Sequence, residues 1–311
     1  MFGFPKKSAV ARGRIGVSLA RDSVAIAVVR RDGAASNPLL ERCELLPLPQ
    51  GAAPAAIAEV LRGAGLPTMP VSAVLGSGQY QMVLVEAPDV PPAELRAAMR
   101  WRLREAIDFP VEEAVIDVIE LPAQNRASQG RMVYAVAARR QQVDQQAGAF
   151  HGQAQFDVID VPELALRNLT QLLPASAAGV ALLHLHESTA TVVLVRGGTF
   201  YFSRQMALHA TLDPAGHDGE IDAAGVALEL QRSLDYYERH FDQPPIGNVA
   251  IAPAGARAAA LVEALARETG LTVVELDLNQ LLRCAAPVTA PAQDAALLAV
   301  GAALRVERRS L

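Results

Sequence analysis

The chain is poor in cysteine, tryptophan and long apolar runs, and each shortage argues against a class of protein. Its 311 residues include only 2 cysteines, Cys43 and Cys284, far apart and without metal-ligand spacing. That argues against a disulfide scaffold or a zinc site, and reduced core thiols in a cytosolic protein are expected. No apolar run reaches the roughly 20 residues that a membrane-spanning helix needs. The longest candidates, 180–195 and 295–304, are interrupted by His184, His186 and Glu187 or are too short, so a soluble protein is expected. Basic charge is scarce as well: 28 Lys and Arg against 33 Asp and Glu leave a net charge of −5. A nucleic-acid binder usually carries a basic domain. No serine sits in a nucleophile elbow, and neither cysteine has a catalytic signature around it.

What the chain does have is apolar content of 51%, enough to bury a sizeable core. Its length suggests about 2 domains at about 100–200 residues each. The N-terminal run Met1-Phe2-Gly3-Phe4-Pro5-Lys6-Lys7 puts lysines after an apolar tip, the reverse of a secretory signal. It reads as a frayed terminus or, alternatively, as a segment that brushes an anionic membrane surface.

The most distinctive segment is the proline-framed stretch 90–110. Asp89 is a good N-cap residue, Pro91 and Pro92 suit a first helical turn, and Pro110 stops a helix. Leu95, Ala98, Met99, Leu103, Ala106 and Ile107 form an apolar stripe at helical spacing, with Arg102 at its rim. Arg96, Arg100 and Arg104 line a second face, and Trp101, the only tryptophan, points away from the stripe. Two readings fit: a helix packed on a small sheet with a solvated basic side, or a docking surface in which Trp and Arg supply the binding energy.

Around this segment the pattern is α/β. Alternating residues predict strands at 15–19, 24–28 and 39–46, a helix over 53–62, and strands at 71–75 and 81–86. Strands at 114–120 and 131–137 follow the proline-framed helix. A strand near 156–161 and a helix over 163–172 return to the first layer. From Ser176-Ala177-Ala178-Gly179 the strand, turn, strand, glycine turn, strand pattern recurs at 180–205, followed by helices over 223–241 and 257–269 and strands at 249–252 and 271–276. This weak internal repeat predicts two related α/β lobes. The division is a tail (1–13), a first lobe (14–88 and 150–175), an inserted small α/β subdomain (89–149), a second lobe (176–293), a closing helix (294–305) and a short tail (306–311).

The segments 91–110, 157–166 and 228–237, above all the run Gln231-Arg232-Ser233-Leu234-Asp235-Tyr236-Tyr237, resemble the PilM family of type IV pilus assembly proteins. The branch they look closest to is the MshI-type branch that serves the MSHA agglutinin pilus. The resemblance implies a two-lobed actin-like, ribonuclease H-like fold of the FtsA and PilM type. It also implies a cytoplasmic place at the inner membrane, a PilN-like bitopic partner bound through its N-terminal tail, a link to pilus motor proteins, and in many members ATP in the interlobe cleft. A cell-division adaptor of the same fold would need an amphipathic tail, which 305–311 do not show.

In that fold two hairpin turns grip phosphates through backbone amides and hydroxyls. The corresponding positions here are Gly16, Ser18, Arg21, Ser188 and Thr189, with Gly255 before the penultimate helix and Glu229, Arg232 and Ser233 on the long helix. Ser18 and Ala20 stand where the family pattern has an acidic residue and a glycine. His184 and His186 make the same exchange in the second turn, and the glycine-rich loop is reduced to Ala252-Pro253-Ala254-Gly255-Ala256. Magnesium triphosphate needs carboxylates and close backbone approach, so hydrolysis is not expected. Glu229 and Arg232 either meet an adenosine or form a surface ion pair one turn apart. His184 and His186 share a strand face, but nothing completes a metal set, and polar turn residues are expected there. The chain therefore reads as a non-catalytic scaffold, with Arg96, Arg100, Trp101 and Arg104 as exposed partner contacts. An ATP-gated switch is the alternative.

Overall fold

The computed structural model describes residues 13–20, 22–31, 37–49, 51–122, 130–150, 155–186, 188–208, 221–253 and 255–306. In the first lobe, alternating β-branched and small residues make Gly13–Leu19 (β1) and Ser23–Arg30 (β2) an antiparallel pair. Leu39–Pro47 (β3) joins the far side of β2, and after Pro54–Gly63 (α1) the strand Val71–Val74 (β4) runs parallel to β1.

The chain then leaves this sheet to build a second one. Tyr80–Glu86 (β5), Ala114–Glu120 (β6) and Met132–Arg139 (β7) form a three-stranded antiparallel sheet in the order β5-β7-β6, with Pro92–Leu103 (α2) between the first two. Arg140–Ala149 (α3) leads back to Phe156–Asp160 (β8), which is parallel to β4, and to Pro162–Thr170 (α4).

The second lobe repeats the first. Val180–His186 (β9), Thr189–Arg196 (β10) and Thr199–Ala207 (β11) form an antiparallel meander. Its last turn uses Gly197 at φ +55° and Gly198 at φ +79°, the paired left-handed geometry that glycine takes without penalty. Ala223–His240 (α5), Asn248–Ala252 (β12), Ala256–Thr269 (α6) and Thr272–Glu275 (β13) follow. The sheet order β11-β10-β9-β12-β13 reproduces β3-β2-β1-β4-β8, so the pattern repeat in the sequence is a topological repeat. After Leu278–Leu281 (α7), Arg283–Cys284 (β14) pairs with β3, and Ala290–Ala303 (α8) packs on β1 and α4.

One apolar core joins the lobes. Leu166 and Leu169 of α4 and Leu297 and Val300 of α8 sit in the same buried cluster as Ala27 and Val29 of the first sheet and Leu182 and Val193 of the second. Close approach depends on two glycines. A Cβ on Gly16 would lie 1.8 Å from the Ala299 carbonyl oxygen, and one on Gly301 would lie 2.4 Å from that of Ala165.

Several boundaries differ from the sequence reading. The inserted sheet begins with β5 at Tyr80, whereas the sequence put that strand in the first lobe and opened the subdomain at residue 89. Strand periodicity says nothing about which sheet a strand joins. The second lobe also ends sooner, because β14 lies in the first sheet, and the closing helix starts at Ala290 rather than 294, with Pro291 in its first turn.

Asp89 does not cap α2. Pro91 is extended at ψ 147° because Pro92 follows it, so the helix cannot start earlier. At its far end α2 stops at Leu103, well short of Pro110. Phe109 and Ile107 turn back there into the core formed by Leu95, Met99 and Leu103.

The subdomain is fastened to both lobes by tyrosines on the sheet face away from α2. The Tyr80 hydroxyl donates to the buried Glu163 carboxylate at the start of α4, 2.8–2.9 Å from its two oxygens. The Tyr134 hydroxyl donates to the Ser203 carbonyl at 3.0 Å and accepts from the Ser203 amide at 3.1 Å. Ser203 belongs to the edge strand β11, so the subdomain covers an edge that would otherwise be open to aggregation. Tyr134→Phe is expected to destabilise the protein by about 1–3 kcal/mol, the penalty for unsatisfied buried backbone groups. Urea unfolding checks this, and an unchanged midpoint would mean that water replaces the hydroxyl.

Candidate functional site: the interlobe cleft and the subdomain beside it

A cleft of about 1300 Å³ opens between the lobes and the subdomain. It lies past the carboxyl ends of the parallel strands, where ligands bind in α/β sheets of this kind. β1 contributes Ser18 and Leu19, and β9 contributes His184 and His186. The segments after β4, β8 and β12 contribute Gly76, Pro162 and Gly255, and β5 supplies a side wall from Tyr80 to Val83.

Of the residues expected to hold a nucleotide, Ser18, Thr189 and Gly255 line this cleft. Gly16 serves another purpose, since its missing side chain makes room for α8. Arg21 lies outside the described residues. Ser188 is not in the lining, and its carbonyl accepts the Leu208 amide. Glu229, Arg232 and Ser233 also stand outside the lining. Glu229 pairs with Arg232 and, at 3.3 Å, with Arg204, while the Ser233 hydroxyl donates to the Glu229 carbonyl at 2.8 Å. Arg204 is the member of that network that reaches the cleft.

The charge of the lining favours cations. Glu105, Asp108, Glu163 and Asp294 face Arg204 and Arg257. Burial pushes the Glu163 carboxyl above the ordinary carboxylate range, against the pull of its own backbone and Tyr80, and burial also raises Asp294. His184 is not the polar turn residue expected from the sequence. It is buried within β9, and burial lowers its pKa to about 4, with His186 as a lesser cause, so the imidazole is neutral at physiological pH. The two rings sit 6.3 Å apart, and no group of three or more metal-ligating residues occurs among the described residues. At the start of α6, Gly255 takes φ +150° and ψ −174°, a conformation open essentially to glycine, and its amide donates to Glu275 at 3.0 Å. The chain thus places its own carboxylate at that helix N-terminus.

Sequence reasoning missed Tyr80, Tyr134, Glu163, Asp294 and Glu275. Only Glu163, acidic in the first turn after Pro162, carried a local signal.

The α2 surface is partly used up internally. Arg96 pairs with Asp117 at 2.9 Å, and Arg100 donates to the carbonyls of Val111 at 2.8 Å and Ala114 at 3.4 Å. Arg104 stacks over Trp101 at 4.8 Å and lies 3.8 Å from Glu112. Arg102, expected at the rim of the apolar stripe, is exposed, because the buried side of α2 is only Leu95, Met99 and Leu103. Trp101 is 75% exposed.

Residues 68–210, which run from β4 past the end of β11, match the model of a family described as type IV pilus assembly protein PilM. Over that stretch this chain is similar to PilM. The solved PilM–PilN type IV pilus biogenesis complex superposes with a TM-score of 0.67 at 20% identity, covering 94% of this chain and 98% of that one. A Bacteroides thetaiotaomicron protein with an actin-like ATPase fold and unknown function superposes at 0.51 with 8% identity, covering 90% and 96%. No curated protein matches by sequence. The architecture is therefore the two-lobed actin-like fold shared with PilM, with the subdomain inserted in its first lobe. No helix among the described residues is long and apolar enough to cross a membrane.

Proposed function

We propose that this chain is a cytoplasmic scaffold of type IV pilus assembly, of the MSHA type, that holds the tail of a PilN-like inner-membrane protein and does so without nucleotide. The reading is carried by the match to PilM across the inserted subdomain, together with a solved relative that is a complex with PilN. The MSHA assignment rests on the resemblance of the segments 91–110, 157–166 and 228–237 to the MshI-type branch.

The cleft supplies a physical mode. β5 is an edge strand, and its residues Tyr80–Val83 form the wall, so an extended tail can add to that edge by main-chain hydrogen bonds. Leu19, Met82, Val83 and Ile107 offer apolar contacts, and Glu105 and Asp108 supply negative charge. Cytoplasmic segments beside a membrane span are enriched in Lys and Arg, which matches that charge.

Against magnesium triphosphate stand Gly16, occupied with α8, and Glu275 on the α6 amide. Titration of a synthetic tail peptide is expected to give the same affinity with and without ATP and magnesium. The paired charge reversals Glu105→Lys and Asp108→Lys should weaken it about tenfold at low salt, in keeping with screened surface pairs. Binding that appears only with ATP would replace the scaffold with a nucleotide-gated switch.

A further inference from the structure

The outer face of α2 is only partly used by the fold, and its chemistry is specific. Leu95, Met99 and Leu103 turn inward, while Trp101 on the opposite side is the most exposed large hydrophobic residue among those described. Three arginines surround it. Arg104 stacks on the indole and lies 3.8 Å from Glu112 in an exposed pair, and Arg102 has no carboxylate partner among the described residues. Arg100 spends its donors on neutral carbonyls, which leave its charge uncompensated. The chain as a whole is acidic, at −5, so this is a local cationic and aromatic surface rather than part of a general field.

We propose that this face rests on the anionic phospholipid surface of the inner membrane. Tryptophan settles at the headgroup level of bilayers, and guanidinium groups near anionic lipid are drawn to it. A membrane rather than an acidic protein is favoured by position. Glu105 to Asp108, the residues just past α2, line the cleft, so Trp101 lies about one turn from the mouth where a tail leaving the bilayer would enter. That orientation rests on the tail reading, but lipid contact is measurable without any tail. One indole and a few arginines give weak attachment alone, and simultaneous capture of the tail would raise it through effective concentration.

Trp101 is the only tryptophan, so its fluorescence reports on this face alone. The full chain should show a blue-shifted emission and co-sediment with vesicles of phosphatidylglycerol and phosphatidylethanolamine at low salt, but not with phosphatidylcholine vesicles. Raising the salt should release it. Reversing Arg102→Glu and Arg104→Glu together should cut the bound fraction at least about fivefold, and Trp101→Ser should act in the same direction with thermal unfolding unchanged. The proposal is overturned if phosphatidylglycerol vesicles leave the emission unmoved, or if Trp101→Ser co-sediments as well as the parent. It is equally overturned if polyglutamate shifts the emission and vesicles do not, which would assign the face to an acidic protein. Because these vesicles hold no tail, a failure here is separate from a failure of the peptide titration.

Discussion

Gly16→Ala is expected to lower the stability of the protein by about 3 kcal/mol or more, at the upper end of what overpacking costs, because nothing near the new methyl can give way. Its Cβ would lie 1.8 Å from the Ala299 carbonyl oxygen and 2.6 Å from the Ala303 amide nitrogen, both backbone atoms of α8. No truncation of a neighbouring side chain relieves that contact, so α8 must shift off β1. For a chain of this size the midpoint of thermal unfolding should fall by roughly 5 °C. Gly63→Ala, at the end of α1 with no atom within 4 Å, is the control and should be neutral or slightly stabilising. The experiment also separates two roles for Gly16. A phosphate-turn glycine would lose nucleotide affinity on substitution and keep its stability, so an unchanged melting curve would show that α8 does not lie where it is described.

Arg305→Met should be nearly as damaging, by about 3–5 kcal/mol at neutral pH, the range for a buried ion pair deprived of one member. The Asp160 carboxylate is 4% exposed, and it bonds Arg305 and, at 3.0 Å, the Val161 amide. Burial holds its pKa above the ordinary value although Arg305 pulls it down. A carboxyl whose folded pKa exceeds its unfolded one opposes folding when ionised, so this contribution to stability declines as pH rises through the folded pKa. Without Arg305 that pKa climbs further. The deficit of Arg305→Met should therefore be large at neutral pH and shrink as the pH is lowered toward the unfolded value near about 4. Asp160→Asn combined with Arg305→Met removes both charges and should recover most of the loss. Urea unfolding at two pH values reads both effects. A double variant no better than the single one at neutral pH would mean that the pair is not buried as described.

Much of the fold was legible in the sequence because local periodicity is set by local geometry. The meanders at 15–46 and 180–205 are hairpins of alternating residues, and their recurrence predicted the two lobes. What stayed hidden was long-range assignment. Strand β5 carries the same alternation whichever sheet it joins, and Arg283–Cys284 is too short to show any period. The site was less legible than the fold. Gly16 looked like a phosphate glycine because the sequence shows only that a side chain is missing, and the object filling the space, α8, comes nearly 300 residues later. Tyr80 and Glu163 meet only after β5 leaves the first sheet. His184 looked polar by residue type, yet strand β9 buries it.

The position of α8 also bears on how the molecule is made. β1 is the first described strand to leave the ribosome, and the helix that seals its face is the last, with β14 entering the first sheet just before it. The first lobe therefore waits with an open apolar face until α8 has emerged, which favours slow maturation and a need for chaperone shelter during synthesis. Losing α8 would therefore unseat β1, a strand nearly 300 residues away in the chain, rather than remove a peripheral element.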